Sequence, residues 1–311
     1  YLVFDAVAQK RVSLGEELFV SDKAWRMTGS RMFLRSGQRV SVDQLLRGMI
    51  IVSANDATVT LAEGVGGTEG AFVERMNAQA QRLGMTNTHF ENTTGLPDPK
   101  HYSTAGDLTR LAAAMVRDHP QFLPLYQFRD FTYNKVTQQN RNTLLARDPR
   151  VDGLKTGYTE SAGYCMIATA RRDERRLMAV VMGTASETVR TIEAQKLLNF
   201  GFQHYETVRV YQKGAVVTEL PVWKGSEKRV KAGLEQDVFV SVPRGQTGKV
   251  QAQVSSQQPL LAPVNQQQRV GVLRLSFDGK PLGEYPVIAL ETVSVANLLL
   301  RTWDSIRLLF D

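Results

Sequence analysis

The spacing of apolar residues changes character along this chain, and each change marks an element. Leu45, Leu46, Met49 and Ile50 recur at the interval that gives a helix one buried stripe. Ser41-Val42-Asp43-Gln44 ahead of them offers an N-cap serine and a capping-box glutamine. This helix is expected to stop near Val52. A second is expected from Asp56 to Glu63, ended by Gly64-Val65-Gly66-Gly67, and a third from Glu69 to Leu83, closed by Gly84. Thr104 to Asp118 repeats the pattern, with Leu108, Leu111, Ala112 and Met115 on one face and Pro120 as its stop. The opening Tyr1 to Ala8 is apolar and uncapped, and reads as the tail of a helix that begins upstream; there is no initiator methionine. Between it and Ser41, the stretch Leu18 to Val42 mixes short β-type runs with Gly and Ser.

After a polar stretch rich in Asn and Gln the period shortens. Gly163 to Ala170 and Leu177 to Gly183 are β-prone runs joined by a charged turn, the pattern of a hairpin. Ser186 to Phe200 returns to helical spacing. Beyond about Tyr205 come Val208 to Val210, Ala215 to Leu220, Val238 to Val242, Val250 to Val254 and Val270 to Phe277, short runs divided by Gly, Pro and Gln. They predict a small all-β domain. Asn297 to Asp311 closes the chain as an amphipathic helix, with Leu299, Trp303, Ile306 and Phe310 on one side and Arg301, Asp304 and Arg307 on the other.

Composition narrows the function classes. At 311 residues, 42% hydrophobic and 22% charged, the chain can bury a core as one large or two medium domains. Its formal net charge of +7 invites comparison with nucleic-acid and anionic-membrane binders. The basic residues are scattered, however, and the one dense cluster, Arg171, Arg172, Arg175 and Arg176, is interrupted by Asp173 and Glu174 without interleaved aromatics. It reads as a solvated turn, and no nucleic-acid partner is expected. The single cysteine, Cys165, forbids a disulfide framework, and its apolar setting predicts a buried, inert thiol. The four histidines show no ligand spacing, so neither a metal nor a cofactor is expected. No apolar run is long enough to span a bilayer.

Two short motifs carry chemistry. Ser53-Ala54-Asn55 falls where one helix ends and another begins, a place where polar side chains can be held at a cleft, although a Ser or Asn there is ordinarily a cap. Lys155-Thr156-Gly157 precedes the strand starting near Tyr164; a lysine and a hydroxyl beside a strand whose glycine admits a ligand would suit an anionic, extended peptide. Together and in this order, Ser-x-Asn and Lys-Thr-Gly form two thirds of the signature of serine β-lactamases and penicillin-binding proteins. The stretches Leu45 to Ala57, Leu83 to Leu96 and Asn140 to Gly157, with Asn140-Arg141-Asn142 and Val151-Asp152-Gly153-Leu154 among them, resemble the low-molecular-mass D-alanyl-D-alanine carboxypeptidases in particular.

That resemblance implies an α/β transpeptidase- and β-lactamase-like domain, an antiparallel sheet flanked by helices, over residues 1–205. A small β-rich domain over 206–293 and an amphipathic membrane-surface helix over 294–311 would follow it. It assigns Ser53 to a proton relay, Asn55 to a hydrogen bond with a substrate carbonyl, and Lys155 to keeping the cleft electropositive. Thr156 and Thr159, with Arg190, would bind the substrate's terminal carboxylate, while Gly157 and the Tyr158 amide would line the acyl site, the latter as an oxyanion donor. The third motif, Ser-x-x-Lys, is absent; Thr132-Tyr133-Asn134-Lys135 is the nearest imitation, with the wrong nucleophile. The family's motif opens the helix that Tyr1 to Val7 would continue, so nucleophile and lysine are expected a few residues before Tyr1. The implied activity is removal of the terminal D-alanine from peptidoglycan stem pentapeptides through a serine acyl-enzyme, with β-lactams as covalent inhibitors, in a periplasmic protein peripheral to the outer face of the cytoplasmic membrane. A non-catalytic peptidoglycan-binding homologue and a β-lactamase are the alternatives.

Overall fold

The computed structural model describes residues 1–256 and 258–307. The chain divides into two compact units, Tyr1–Gly201 and Phe202–Asp311.

The first unit opens with α1 (Leu2–Ala8), then pairs β1 (Glu17–Phe19) antiparallel with β2 (Arg39–Ser41) around the short α2 (Asp22–Trp25). A helical layer follows: α3 (Val42–Ile51), α4 (Asn55–Gly66), α5 (Glu69–Arg82) and α6 (Ala105–Asp118). Their starts are set by side chains that satisfy otherwise unpaired amides. Ser41 caps α3 by accepting from Gln44 N (3.3 Å), Thr68 caps α5 and Thr104 caps α6. Leu45, Leu46 and Ile51 of α3 and Val59 and Leu61 of α4 are buried in one core with Met32 and Leu34 of the preceding loop.

Past a 3₁₀ run at Pro120–Gln127, the polar stretch contains a hairpin, β3 (Asp130–Tyr133) and β4 (Val136–Gln139). Asn134 and Lys135, both at positive φ, form its turn, so the imitation of Ser-x-x-Lys is an ordinary tight hairpin. The short α7 (Leu144–Arg147) leads into an antiparallel meander of β5 (Val151–Thr159), β6 (Gly163–Arg172) and β7 (Arg175–Thr184), after which α8 (Glu187–His204) begins. Lys155-Thr156-Gly157 therefore lies inside a strand. Two glycines and several polar residues mask β5 as a sequence pattern, yet it pairs with β6 along its length.

The arginine turn does more than face water. Arg176 of β7 forms an ion pair of 2.6 Å with Asp152 of β5, and Thr169 of the intervening β6 donates to the same carboxylate at 2.6 Å. One acid thus ties all three strands together. Cys165 is half-buried, because it lies opposite Gly157, whose missing side chain leaves that face uncovered.

The second unit is β-rich. β8 (Tyr205–Tyr211) pairs with β11 (Val238–Pro243), and β9 (Val216–Pro221), β10 (Arg229–Gly233), β12 (Val250–Ser256), β13 (Arg269–Phe277) and β14 (Lys280–Ala289) form a sheet in the order β12-β13-β14-β10-β9. Val230, Ala232, Leu273 and Val287 of the sheet share a core with Val238, Val240 and Val242 of β11. Two strands escape the hydrophobic pattern. β10 alternates charged and buried residues, and β14 carries Pro281 and Pro286, which are tolerated because β10 reaches only Ile288 and Ala289. The expected terminal helix is present as α9 (Leu298–Arg307); its last turn, with Leu309 and Phe310, and the Ile306 side chain lie outside the described residues. Among the described residues no helix is long and apolar enough to cross a membrane.

Asp56 fastens the loop before β2 to α4. At 1% exposure its carboxylate accepts from the amides of Met32 and Leu34, each at 3.0 Å, and from Ala57 N at 2.9 Å. Asp56→Ala leaves the first two amides buried without partners and is expected to lower stability by about 2–4 kcal/mol in urea unfolding. A loss below about 1 kcal/mol would mean that Met32 and Leu34 hold the loop by apolar packing alone.

Candidate active site

Helix α3 ends on an unusual turn. Val52 closes it, and Ser53 then adopts φ +58°, a left-handed conformation costly for a residue with a Cβ. The Ala54 amide returns to the Gly48 carbonyl at 3.1 Å, which holds the reversal in place. Helix α4 starts at once with Ala54 as its N-cap and no side-chain cap hydrogen bond, so neither Ser53 nor Asn55 serves as a helix cap. The ordinary capping role for Ser-x-Asn is thereby excluded, and both side chains find partners outside the helix ends.

Asn55 is fixed by a second segment. Its amide nitrogen Nδ2 donates to the Thr28 carbonyl at 2.7 Å, and its backbone N–H donates to the Ser30 carbonyl at 2.8 Å. Gly29 between them has φ +78°, and a Cβ there would stand 3.0 Å from Asn55 Nδ2, so glycine permits the loop to close on the asparagine.

From the opposite side, β5 presents Lys155. Its ammonium donates to Ser53 Oγ, the contact that unites the two motifs, and to the Thr156 carbonyl at 2.7 Å. Because the lysine donates to this oxygen, the hydroxyl proton of Ser53 is left to donate elsewhere. Burial, reinforced by the nearby Arg190 and Arg141 guanidinium groups, pulls the Lys155 pKa from its ordinary 10.5 to about 8.

The other expected residues lie along the same strand or behind it. Thr156 is 8% exposed, and Gly157 and Tyr158 are exposed, with the Tyr158 ring tilted by 31° against that of Tyr164 at a centroid distance of 4.2 Å. The Thr159 hydroxyl is engaged locally, accepting from Ala162 N at 3.0 Å and lying 3.2 Å from Ser161 Oγ. Arg190, in the first turns of α8, is 3% exposed; its guanidinium donates to the Gly157 and Arg141 carbonyls at 3.5 and 3.3 Å and pairs with Glu187 at 3.3 Å. Burial lowers its pKa from the usual guanidinium value, without removing its charge.

Arg141 is the residue that sequence reasoning passed over. It stood in the Asn140-Arg141-Asn142 pattern but was given no role; only the fold brings it beside Lys155. Its flanking asparagines were the available signal, since each anchors the backbone: Asn140 to the Phe128 carbonyl at 2.8 Å and Asn142 to the Gly153 carbonyl at 3.2 Å. Among the described residues no group of three or more His, Cys, Asp or Glu side chains could hold a metal ion.

A serine and an asparagine on one wall and a Lys-Thr-Gly strand on the other, with Lys155, Arg141 and Arg190 gathered there, match the arrangement of two of the three motifs of a penicillin-binding protein. The profile described as D-alanyl-D-alanine carboxypeptidase matches residues 1–186, and that of the penicillin-binding protein 5 C-terminal domain matches 205–295. The chain belongs to the D-alanyl-D-alanine carboxypeptidase family. It is 36% identical to D-alanyl-D-alanine carboxypeptidase DacC of Escherichia coli over 318 aligned positions, covering 100% of this chain and 80% of that protein. The crystal structure of penicillin-binding protein 5 from Haemophilus influenzae superposes with a TM-score of 0.86 at 37% identity, over 94% of this chain and 87% of that one. Penicillin-binding protein D2 of Listeria monocytogenes, solved in its ampicillin-bound form, gives 0.59 at 32% identity, over 65% of this chain and 82% of that one.

The depressed Lys155 pKa has a thermodynamic consequence whose sign is fixed. The unfolded chain keeps this proton up to about pH 10.5 and the folded chain only to about 8, so between these values the unfolded state binds more protons and stability rises with pH. Below about 8 the cost of burying the ammonium is present in full. Lys155→Met is expected to flatten the stability profile in that window, measured by urea unfolding at a series of pH values; an unchanged slope would show that Lys155 titrates as a solvated lysine.

Proposed function

We propose that this protein removes the terminal D-alanine from peptidoglycan stem pentapeptides through a serine acyl-enzyme, and that β-lactams acylate the same serine. The contact between Lys155 and Ser53 carries this reading. Peptide acyl transfer needs a nucleophilic hydroxyl, a base, an oxyanion site and a way to deliver a proton to the leaving amine. The nucleophilic serine and its lysine are those expected ahead of Tyr1. The expected lysine takes the proton of the attacking hydroxyl, and Ser53 relays it, giving its own proton to the departing D-alanine amine and receiving one from that lysine. Asn55 meets the substrate's backbone carbonyl, and the Tyr158 amide supplies one oxyanion donor beside the open backbone at Gly157. The terminal carboxylate is drawn to the cationic end of β5, where Thr156, Thr159 and Arg190 stand and Lys155 adds its charge.

The same reading places the protein in the periplasm, held at the outer face of the cytoplasmic membrane by α9. Leu299 and Trp303 of α9 are 83% and 62% exposed, with Leu298 also open to solvent. The polar side of the helix is engaged with its own domain instead: Asp304 accepts from Lys224 N at 2.7 Å, and Arg307 lies over the Trp223 ring. An apolar face turned outward, with tryptophan among its residues, suits a lipid interface.

Full-length protein is expected to release D-alanine from an acyl-D-alanyl-D-alanine peptide and to gain the mass of a β-lactam, and Ser53→Ala should slow turnover by about a hundredfold or more. Absence of both reactions supports the non-catalytic binding protein, and β-lactam hydrolysis faster than peptide hydrolysis supports a β-lactamase. For α9, the intact protein should sediment with anionic vesicles at low salt and a version ending at Ala296 should not; equal recovery of the two would exclude the helix as the anchor.

A further inference from the structure

Strand β12 lies at one end of the five-stranded sheet of the second unit, and among the described residues it pairs on one side only, with β13. The amides and carbonyls along its other side are a template for a further strand, and folded proteins usually blunt such an edge with charge or proline. The other border strands of this unit carry such residues: Glu219 and Pro221 in β9, Glu206 and Arg209 in β8, and Pro243 in β11. β12 carries neither. It reads Val250-Gln251-Ala252-Gln253-Val254-Ser255-Ser256, and Gln251, Ala252 and Gln253 are exposed in succession.

From Val250 to Val254 the strand reads the same in both directions about Ala252. A two-fold axis through Ala252 sets Val250 against Val254 of a second copy, Gln251 against Gln253, and Ala252 against itself. Val250 and Val254 are half-buried against the core of the unit, with exposed Ala252 between them on the same face, while the two glutamines point the other way. Valine pairs and carboxamide pairs therefore fall on opposite faces, and the small alanine at the axis lets the strands approach. The charges at the ends are compatible as well. Lys249 comes opposite Ser255, whose hydroxyl accepts from Arg274 at 3.2 Å; Asp278 pairs with Lys249 at 3.5 Å and Glu284 with Arg274 at 2.8 Å, so each of these cations arrives with its own acid.

We propose that β12 is a self-association surface, at which a second copy of this chain adds its own β12 antiparallel on a two-fold axis through Ala252. Two five-stranded sheets then become one continuous sheet. The surface lies in the β unit and does not depend on the carboxypeptidase reading. Because the same patch serves both copies, the contact closes on itself and stops at a dimer. An edge of seven residues buries less than the roughly 1,200–2,000 Å² of stable complexes, so the dimer is weak and forms where the chain is concentrated.

Cross-linking captures a weak dimer, and the single native thiol is removed by Cys165→Ser. In that full chain, Ala252→Cys puts a thiol on the axis, where facing Cα atoms of an antiparallel pair lie about 4.5 or 5.5 Å apart, within reach of a disulfide in either hydrogen-bonding phase. Under mild oxidation it is expected to form a disulfide dimer about tenfold faster or more than Glu219→Cys, an exposed position on the opposite edge of the same sheet. Adding Gln251→Lys with Gln253→Lys sets lysine against lysine twice and should bring the rate down to that of Glu219→Cys. Adding Gln251→Lys with Gln253→Glu instead sets each lysine against a glutamate and should restore it, which also shows that substitution at these two exposed positions leaves the unit folded. An Ala252→Cys rate no higher than that of Glu219→Cys would overturn the proposal, as would equal rates with the two charge pairs.

Discussion

One hydrogen bond joins the two halves of this site: the Lys155 ammonium donating to Ser53 Oγ. It links the end of a helix to the middle of a strand that follows it by 102 residues, and both partners are held against local preference. Ser53 sits in a left-handed conformation, and Lys155 sits where its charge is disfavoured. Much of the surrounding structure can be understood as support for these two positions. The Gly48 carbonyl fixes the turn, Asp56 secures the loop that carries Thr28 and Ser30 to Asn55, and Asp152 ties β5 into its sheet through Arg176 and Thr169.

The crowding of cations follows from the same constraint. Lys155, Arg141 and Arg190 gather around one strand, with Glu187 the acid that pairs with Arg190. Such a cluster repels itself, and the folded protein tolerates it because carbonyl oxygens of Thr156, Gly157 and Arg141 absorb part of the charge. What remains is a positive field directed at the groove. An anion entering there would relieve part of that repulsion.

The β unit obeys simpler rules. Its core is built from the alternating residues of short strands, and its least regular strand, β14, accommodates two prolines where its neighbour does not reach. Helix α9 attaches through Asp304 and Arg307 and leaves its leucines and tryptophan outward. That arrangement inverts the usual amphipathic helix, whose apolar face is turned to its own domain.

Much of this was legible in the residues themselves. The helices α3 to α6 declare themselves because caps and stops act locally: Ser41, Thr68 and Thr104 satisfy amides a few residues away, and Gly84 and Pro120 cannot continue a helix. The order Ser-x-Asn then Lys-Thr-Gly sufficed to name the chemistry, since those side chains are needed whatever holds them. Strands β5, β10 and β14 were not legible, because their glycines, charges and prolines suit neighbours distant in sequence, and only pairing reveals them. For the same reason the family resemblance could assign Arg190 to a substrate carboxylate, but the residues alone could not show it buried, nor bring Arg141 to the rim of the groove. Exposure and electrostatic company are properties of packing: which arginine faces solvent is decided by what the rest of the chain places on top of it.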